Sequence, residues 1–292
     1  MLTFICLSCK QINKKLIPEQ VLQQSSESIH QLFPYDLTQF EKHELPDILT
    51  EVSGIYYFLS DSIPYLLLQQ DEDGIIFKYN LSNNTINQSN FNQKGDYEDI
   101  TQLGDYIYLL RSDGNIYVFN KNDLEKASTT PYQIIKHLLP KAEYEGLYAD
   151  SLTNKLIVLT KESKLSLDQH QTPIYEIDIT GNEPIMTNNR MLSSKEIANS
   201  IGKKKMNFKP SAIALHPILK HWYILSSVNQ LIAVYNQDWE LLETISLSKN
   251  TFLQPEGITF DHNGNLYISS EGDKIQKGYF LKFNYIASKA LK

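Results

Sequence analysis

Ser53-Gly54-Ile55 returns four times along the chain, as Glu98-Asp99-Ile100, Glu145-Gly146-Leu147, Ser211-Ala212-Ile213 and Glu256-Gly257-Ile258. Measured between the aliphatic residues, the intervals are 45, 47, 66 and 45. A period in the mid-forties is the length of one four-stranded propeller blade. The long third interval reads as one blade carrying an insertion, so five phrases predict an all-β, five-bladed β-propeller. A six-bladed ring is the alternative, if the 66-residue interval hides a degenerate blade.

The text after each phrase supports antiparallel meanders. Tyr65 to Gln70 and Ile75 to Asn80 flank the turn Asp71-Glu72-Asp73-Gly74, and Tyr106 to Leu110 and Ile116 to Asn120 flank Ser112-Asp113-Gly114. Asp-Gly steps supply the positive φ that tight hairpins need. The same alternation predicts strands at Leu156 to Thr160, Ile174 to Asp178, Trp222 to Ser226, Leu231 to Asn236, Leu266 to Ser269 and Tyr279 to Asn284. An insertion is expected at about 186–208, partly helical because Ser193-Ser194-Lys195-Glu196 resembles a capping arrangement, and covering one mouth of the ring. The last blade has only three C-terminal strands. Tyr35 to Leu45 is expected to supply the fourth, which closes the ring and removes an exposed sheet edge.

Composition narrows the function classes. Hydrophobic residues make up 41% and aromatics 11% of the 292 residues, enough for a substantial core, and 18 tyrosines favour strands. A formal charge of −7 argues against a nucleic-acid binder, which needs concentrated Lys and Arg; Lys203-Lys204-Lys205 reads as a solvated loop. Both cysteines, Cys6 and Cys9, lie in the first ten residues, so no disulfide staples the body. Leu2 to Ser8 is a short apolar run ending at Cys9. It resembles the end of a bacterial lipoprotein signal, with Cys9 as the lipidated residue; the missing basic n-region points to a start upstream of Met1. The competing reading is a buried N-terminal strand with incidental thiols. Residues 10–34 are polar and aperiodic, as suits a flexible tether between anchor and body, and 35–292 then form one propeller domain. No stretch approaches the roughly 18 apolar residues of a membrane-spanning helix. The expected place is the bacterial cell envelope, held by the lipid anchor alone, as a monomer.

The first strand of each propeller blade lines the axis. The recurring phrase therefore places Ser53, Glu98, Glu145, Ser211 and Glu256 around it, three of them carboxylates. Two positions earlier stand Glu51, Asp96, Glu143, Lys209 and Gln254, and the ends of the second strands bring Asp71, Arg111, Lys161, Glu162 and Glu271. Converging carboxylates repel unless a cation, a shared proton or water compensates them. Oxygen-only donors without cysteine or paired histidine favour a hard cation, and a flexible set of six to eight suits Ca²⁺. The other reading is that these acids bond backbone N–H groups or channel water and only hold blades together. For most of the second-strand residues hairpin-turn chemistry is the plainer reading, while Glu271 counts with Glu51, Asp96 and Glu143 as a secondary channel acid. No G-x-S-x-G elbow, H-E-x-x-H pair, P-loop or dinucleotide fingerprint is present. His216 beside Pro217 and His262 before Asn263-Gly264 read as turn residues.

These phrases, with Lys209-Pro210-Ser211-Ala212-Ile213-Ala214, His216-Pro217 and Gln254-Pro255-Glu256-Gly257-Ile258, closely resemble the SdiA-regulated, or YjiK-like, family of bacterial extracytoplasmic propellers over roughly Tyr35 to Tyr285. Asp261-His262-Asn263-Gly264-Asn265-Leu266-Tyr267-Ile268 is similar to the strand-turn-strand of NHL repeats. The resemblance implies a five-bladed propeller with a calcium site, and no established activity. It departs at Asp99, where the commoner family residue is glycine; Asp99 then either adds a ligand or decorates the turn. The expected task is a ligand- or protein-binding scaffold, its ligand a small molecule or an envelope protein. The alternative is a metal-dependent hydrolase of lactonase, esterase or phosphatase type, in which an axial metal polarises the substrate.

Overall fold

The computed structural model describes residues 33–162, 171–181 and 183–287. The expected signal remnant at 1–9, Cys9 and most of the tether lie outside the described residues. The first strand among the described residues is β1 (Glu41–Glu44), which stands apart from the strands that follow it. Blade 1 is β2 (Val52–Ser60), β3 (Ile63–Gln70), β4 (Asp73–Asn80) and β5 (Ile86–Lys94). Blade 2 is β6 (Tyr97–Leu103), β7 (Tyr106–Arg111), β8 (Ile116–Asn120) and β9 (Gln133–Ile135). Blade 3 is β10 (Glu143–Asp150), β11 (Lys155–Glu162), β12 (Gln171–Asp178) and β13 (Ile185–Ser193). Blade 4 is β14 (Ala212–Leu215), β15 (Trp222–Ser226), β16 (Leu231–Tyr235) and β17 (Leu241–Ser246). Blade 5 is β18 (Pro255–Phe260), β19 (Leu266–Ser270) and β20 (Tyr279–Phe283), completed by β1. Five four-stranded antiparallel sheets form the five-bladed ring that the repeated phrase predicts, and the six-bladed alternative falls.

Middle strands read as unbroken apolar runs because a blade is covered on both faces. β15 and β16 are buried at every residue, whereas the outermost strand β13 is exposed over most of its length. The apolar interior is accordingly divided into five clusters, one in each seam between neighbouring blades. Inner strands approach closely at the recurring phrase. A Cβ on Gly54 would sit 2.8 Å from the Asp99 Cα, and one on Gly257 would sit 2.5 Å from the Ser53 carbonyl oxygen. Glycine there lets the backbones meet.

The stretch read as an insertion divides in two. Its first part is β13, the outer strand of blade 3, and its second is helix α1 (Ser194–Ser200) with the coil that follows. Ser193 caps α1, its hydroxyl accepting from Glu196 N. The helix does not cover a mouth. Ile197 packs in the seam between blades 3 and 4, and Ser200 Oγ donates to Thr244 Oγ1 on β17, at the periphery.

Closure comes from the N-terminal segment. β1 pairs with β20 in the register Glu41↔Lys282 to Glu44↔Tyr279. Its four side chains are largely exposed, so the strand is anchored from its flanks: Phe33 and Tyr35 enter the seam between blades 4 and 5, and Leu45 and Leu49 enter the seam between blades 5 and 1. Tyr35 Oη donates to the Gly264 carbonyl at 2.6 Å, and Leu45 N donates to Gly278 O at 2.8 Å. Leu45→Ala should therefore lower unfolding stability by about 2–5 kcal/mol, read as a reduced urea midpoint with unchanged slope; a variant indistinguishable from the parent would mean that β1 does not hold the ring.

Candidate functional site

All inner strands start at one face of the ring and end at the other. Their starts gather the acids, because the recurring phrase opens each strand. Glu145 is 4% exposed, and burial raises its carboxyl to about 7 despite Lys161 beside it. Glu98 is pushed further, to about 10, first by burial and then by Glu145 and Asp96. Burial also raises Glu256, against the pull of hydrogen bonds with Ser211, Ser227 and Gln254. Glu271 rises to about 8 through burial, Glu256, Asp71 and Glu51, and Asp71 to about 6 through burial, Glu51, Glu72 and Asp96. The expected axial acids and the expected secondary acids Glu51, Asp96, Glu143 and Glu271 thus share one electrostatic site.

The two serines serve the scaffold. Ser53 Oγ donates to the Glu98 carbonyl at 2.8 Å, and Ser269 Oγ donates to the Ser53 carbonyl at 2.9 Å. Ser211 Oγ accepts from Ser227 N at 3.1 Å while bonding the Glu256 carboxylate. Asp99, standing where the other blades carry glycine or alanine, is spent on backbone: Oδ1 accepts from Ile100 N at 2.8 Å and Oδ2 from Leu147 N at 2.7 Å, which ties blade 2 to blade 3. Of its two sequence readings, neither a metal ligand nor a turn ornament describes it.

Lys161 belongs to the site, contrary to the hairpin-turn reading. Its ammonium contacts the Glu145 carboxylate and lies 3.5 Å from Glu143. Burial acts to lower it, but Glu145, Glu143 and Glu98 together hold it protonated well above the usual lysine range. The signal was its alignment: Lys161 closes the second strand of its blade as Asp71 and Glu271 close theirs. Arg111 stays out, bound to Asp113 and to the Tyr117 hydroxyl, and Lys209 pairs with Glu162 at 3.2 Å. Gln69 is the residue sequence reasoning passed over. It is 1% exposed, and neither atom of its amide has a hydrogen-bond partner among the described residues.

The donors are all oxygens, which suits a hard cation. Their grouping does not: among the described residues no three acids or histidines come together tightly enough to hold a metal ion, and the one cation against Glu145 is Lys161. Neither singled-out histidine is placed as a base there. His216 Nδ1 accepts from Ile218 N and Leu219 N, both at 3.1 Å, and His262 faces the Tyr57 hydroxyl at 3.3 Å on the opposite side of the ring. That opposite mouth opens into a cavity of about 500 Å³ lined by residues of all five inner strands.

Raised carboxyls set the sign of the pH response. A folded state that holds protons more tightly than the unfolded chain has its full stability below the unfolded carboxylate range, and loses it as pH climbs through the folded values. Those values are about 7 for Glu145, about 8 for Glu271 and about 10 for Glu98. In EDTA-treated protein the melting temperature should fall between about pH 5 and pH 9, and Glu98→Gln should flatten that fall; a rise over the same range in the parent would contradict the acid burial described.

No curated protein matches the chain. Among solved structures it is similar to a luciferin-regenerating enzyme, at 12% identity and a TM-score of 0.52 over 84% of this chain and 95% of that one. It is also similar to virginiamycin B lyase from Staphylococcus aureus, at 14% identity and a TM-score of 0.45 over 79% of this chain and 67% of that one. A streptogramin B lyase structure aligns at 12% identity and a TM-score of 0.47, covering 84% and 98%. At such identities the first likeness speaks for the fold alone. The family described as SdiA-regulated matches residues 30–275, which cover the ring from its closing segment to the last blade, and the chain belongs to that family.

Proposed function

We infer that this chain is a lipid-anchored binding propeller of the bacterial cell envelope, acting as a monomeric scaffold for a small ligand or an envelope protein, with a calcium ion taken up at the acid mouth. The observation that carries the calcium reading is the protonation cost at that mouth. Glu98, Glu256 and Glu271, half-buried, crowd around the buried Glu145 against one ammonium among the described residues, and a divalent cation would relieve their repulsion more fully than protons do. Uptake requires Lys161 to leave Glu145 and the carboxylates to draw closer, since as they stand no three of them among the described residues are grouped tightly enough for a metal ion. The Lys161 side chain is 29% exposed on a flexible four-carbon stem, which permits its departure. The envelope reading rests on the Leu2-to-Cys9 run; among the described residues no helix is long and apolar enough to cross a membrane.

Calorimetric titration of EDTA-stripped protein with Ca²⁺ tests the ion. Binding in the micromolar range is expected, lost in the Glu145→Gln, Glu256→Gln double variant and strengthened in Lys161→Gln. Saturating Ca²⁺ at about one hundred times the dissociation constant should add about 2.7 kcal/mol of stability. Absence of heat and of any melting shift would leave Lys161 as the counter-ion of the mouth and remove calcium from the function. The anchor has its own test: metabolic labelling with an alkyne palmitate should mark the full chain expressed from its native gene and fail to mark Cys9→Ser, and equal labelling of both would refute lipidation at Cys9.

A further inference from the structure

The face where the inner strands end carries a second hollow beside the axial cavity. It is about 300 Å³, runs outward over the seam between blades 3 and 4, and shares Asp150, Leu152 and Leu215 with the axial cavity. Together the two make a groove from the axis towards the rim, remote from the acid mouth.

Aromatic rings follow that groove. Tyr148, on the axial side, meets Trp222 edge-on at 5.3 Å, and Trp222 stacks flat on Trp239 at 5.1 Å with 10° between the planes. Trp239 takes φ +65°, a region that bulky residues rarely adopt. Its turn is locked: Asn236 Oδ1 accepts from Asp238 N at 3.0 Å and from Glu240 N at 2.9 Å, and Trp239 N donates to Asn236 O at 3.1 Å. The fold thus fixes a large ring at a position where asparagine or glycine would sit more easily.

The polar lining is self-compensated. Glu176 accepts from Lys155 Nζ at 2.9 Å and from Arg190 Nε at 3.1 Å, and Asp150 accepts from Leu152 N at 2.9 Å and Thr153 Oγ1 at 2.6 Å. Two acids face two bases, so the outer hollow has no net charge to offer an ion. Gln237 is exposed at its edge, and neither indole N–H is hydrogen-bonded among the described residues. In the axial part Asp99 and Asp261 are consumed by backbone and side-chain amides, and Lys220 on the rim makes no ion pair among the described residues.

Flat apolar rings beside planar amide, carboxylate and guanidinium edges, without net charge, match a ligand with C–H faces and many hydroxyls. We propose that this groove binds a neutral oligosaccharide, one sugar lying against Trp239 and the chain running inward to Tyr148. The assignment names a ligand class within the binding-scaffold reading, at a site independent of the calcium mouth.

The chain has two tryptophans, Trp222 and Trp239, and both line the groove, so intrinsic emission reports it directly. The probes are neutral hexasaccharides of β-1,4-glucose, α-1,4-glucose, β-1,3-glucose, β-1,4-mannose and β-1,4-N-acetylglucosamine, with a β-1,4-linked hexauronate as the charged comparison, each followed by emission and by calorimetry. At least one neutral probe should shift the emission saturably. Its affinity should fall about tenfold or more in Trp239→Ala and severalfold in Gln237→Ala, whose exposed site leaves folding intact, while Ca²⁺ titration is unchanged in both. No saturable response to any neutral probe, equal affinity in parent and both variants, or tighter binding of the hexauronate than of every neutral probe would overturn the assignment. Glycan binding with calcium binding absent would overturn only the mouth, and the reverse only the groove.

Discussion

A propeller blade is a sheet with two apolar faces, and each face is covered only by the next blade. The constraint on this molecule is therefore closure: five seams exist, and opening one exposes two faces at once. Here the seal is β1, a strand whose sequence, Glu41-Lys42-His43-Glu44, carries almost no apolar character. Its grip on β20 is backbone pairing assisted by surface chemistry: Lys282 Nζ lies 3.0 Å from Glu41, Lys42 Nζ lies over the Tyr279 ring at 4.1 Å, and His43 stacks on Phe280 at 4.6 Å. Exposed charge pairs contribute little each. The real fastening is apolar and lies on either side of the strand, where Phe33 and Tyr35 enter one seam and Leu45 and Leu49 the next. The N-terminal segment thus bridges both seams of blade 5, and a polar edge strand suffices between them.

Most of this was legible in the sequence because a blade repeats its chemistry at fixed spacing. Ile116 to Asn120 and Trp222 to Ser226 coincide with β8 and β15, and the five aliphatic residues of the phrase are all buried at the axis. β13 was the hard element. Its residues Ile185 to Ser193 alternate poorly, with Thr187, Asn188, Asn189 and Arg190 in succession, because an outer strand is covered on little of its surface and its pairing with β12 is backbone work that leaves no hydrophobic period. An edge strand without a buried face looks like a loop, so the expected insertion at about 186–208 begins inside β13.

The acid mouth was legible for the same reason as the blades: equivalent positions in a repeat become neighbours on a ring. What spacing does not carry is the direction of a long side chain. Lys161, Asp71 and Glu271 share one aligned position, yet turn chemistry read from Lys161 alone does not show that the lysine turns inward to Glu145. Asp99 shows the converse, a carboxylate in the acid phrase that faces backbone N–H groups of the neighbouring blade. The aromatic groove was beyond alignment altogether. Tyr148, Trp222 and Trp239 come from an inner strand, a second strand and an outer hairpin, at positions that are not equivalent, and each reads singly as core.

The two faces of the ring differ because one phrase fixes the start of each inner strand and nothing comparable fixes its end. In four of the five phrases glycine or alanine lets the inner backbones come together, and that close approach places the residue before it, often glutamate, around a narrow and poorly solvated mouth. Four to seven residues later the strands have diverged into loops of unlike length and sequence, from Ser60 to Ile63 in blade 1 to Phe260 to Leu266 in blade 5. Repetition concentrates like charges at one end, where they demand a counter-charge; divergence assembles unlike residues at the other, where Asp150, Lys155, Glu176 and Arg190 cancel one another and leave rings and amides to the solvent. A propeller of this construction separates an ionic site from a neutral one by the length of a single strand, and each can change its residues without disturbing the other.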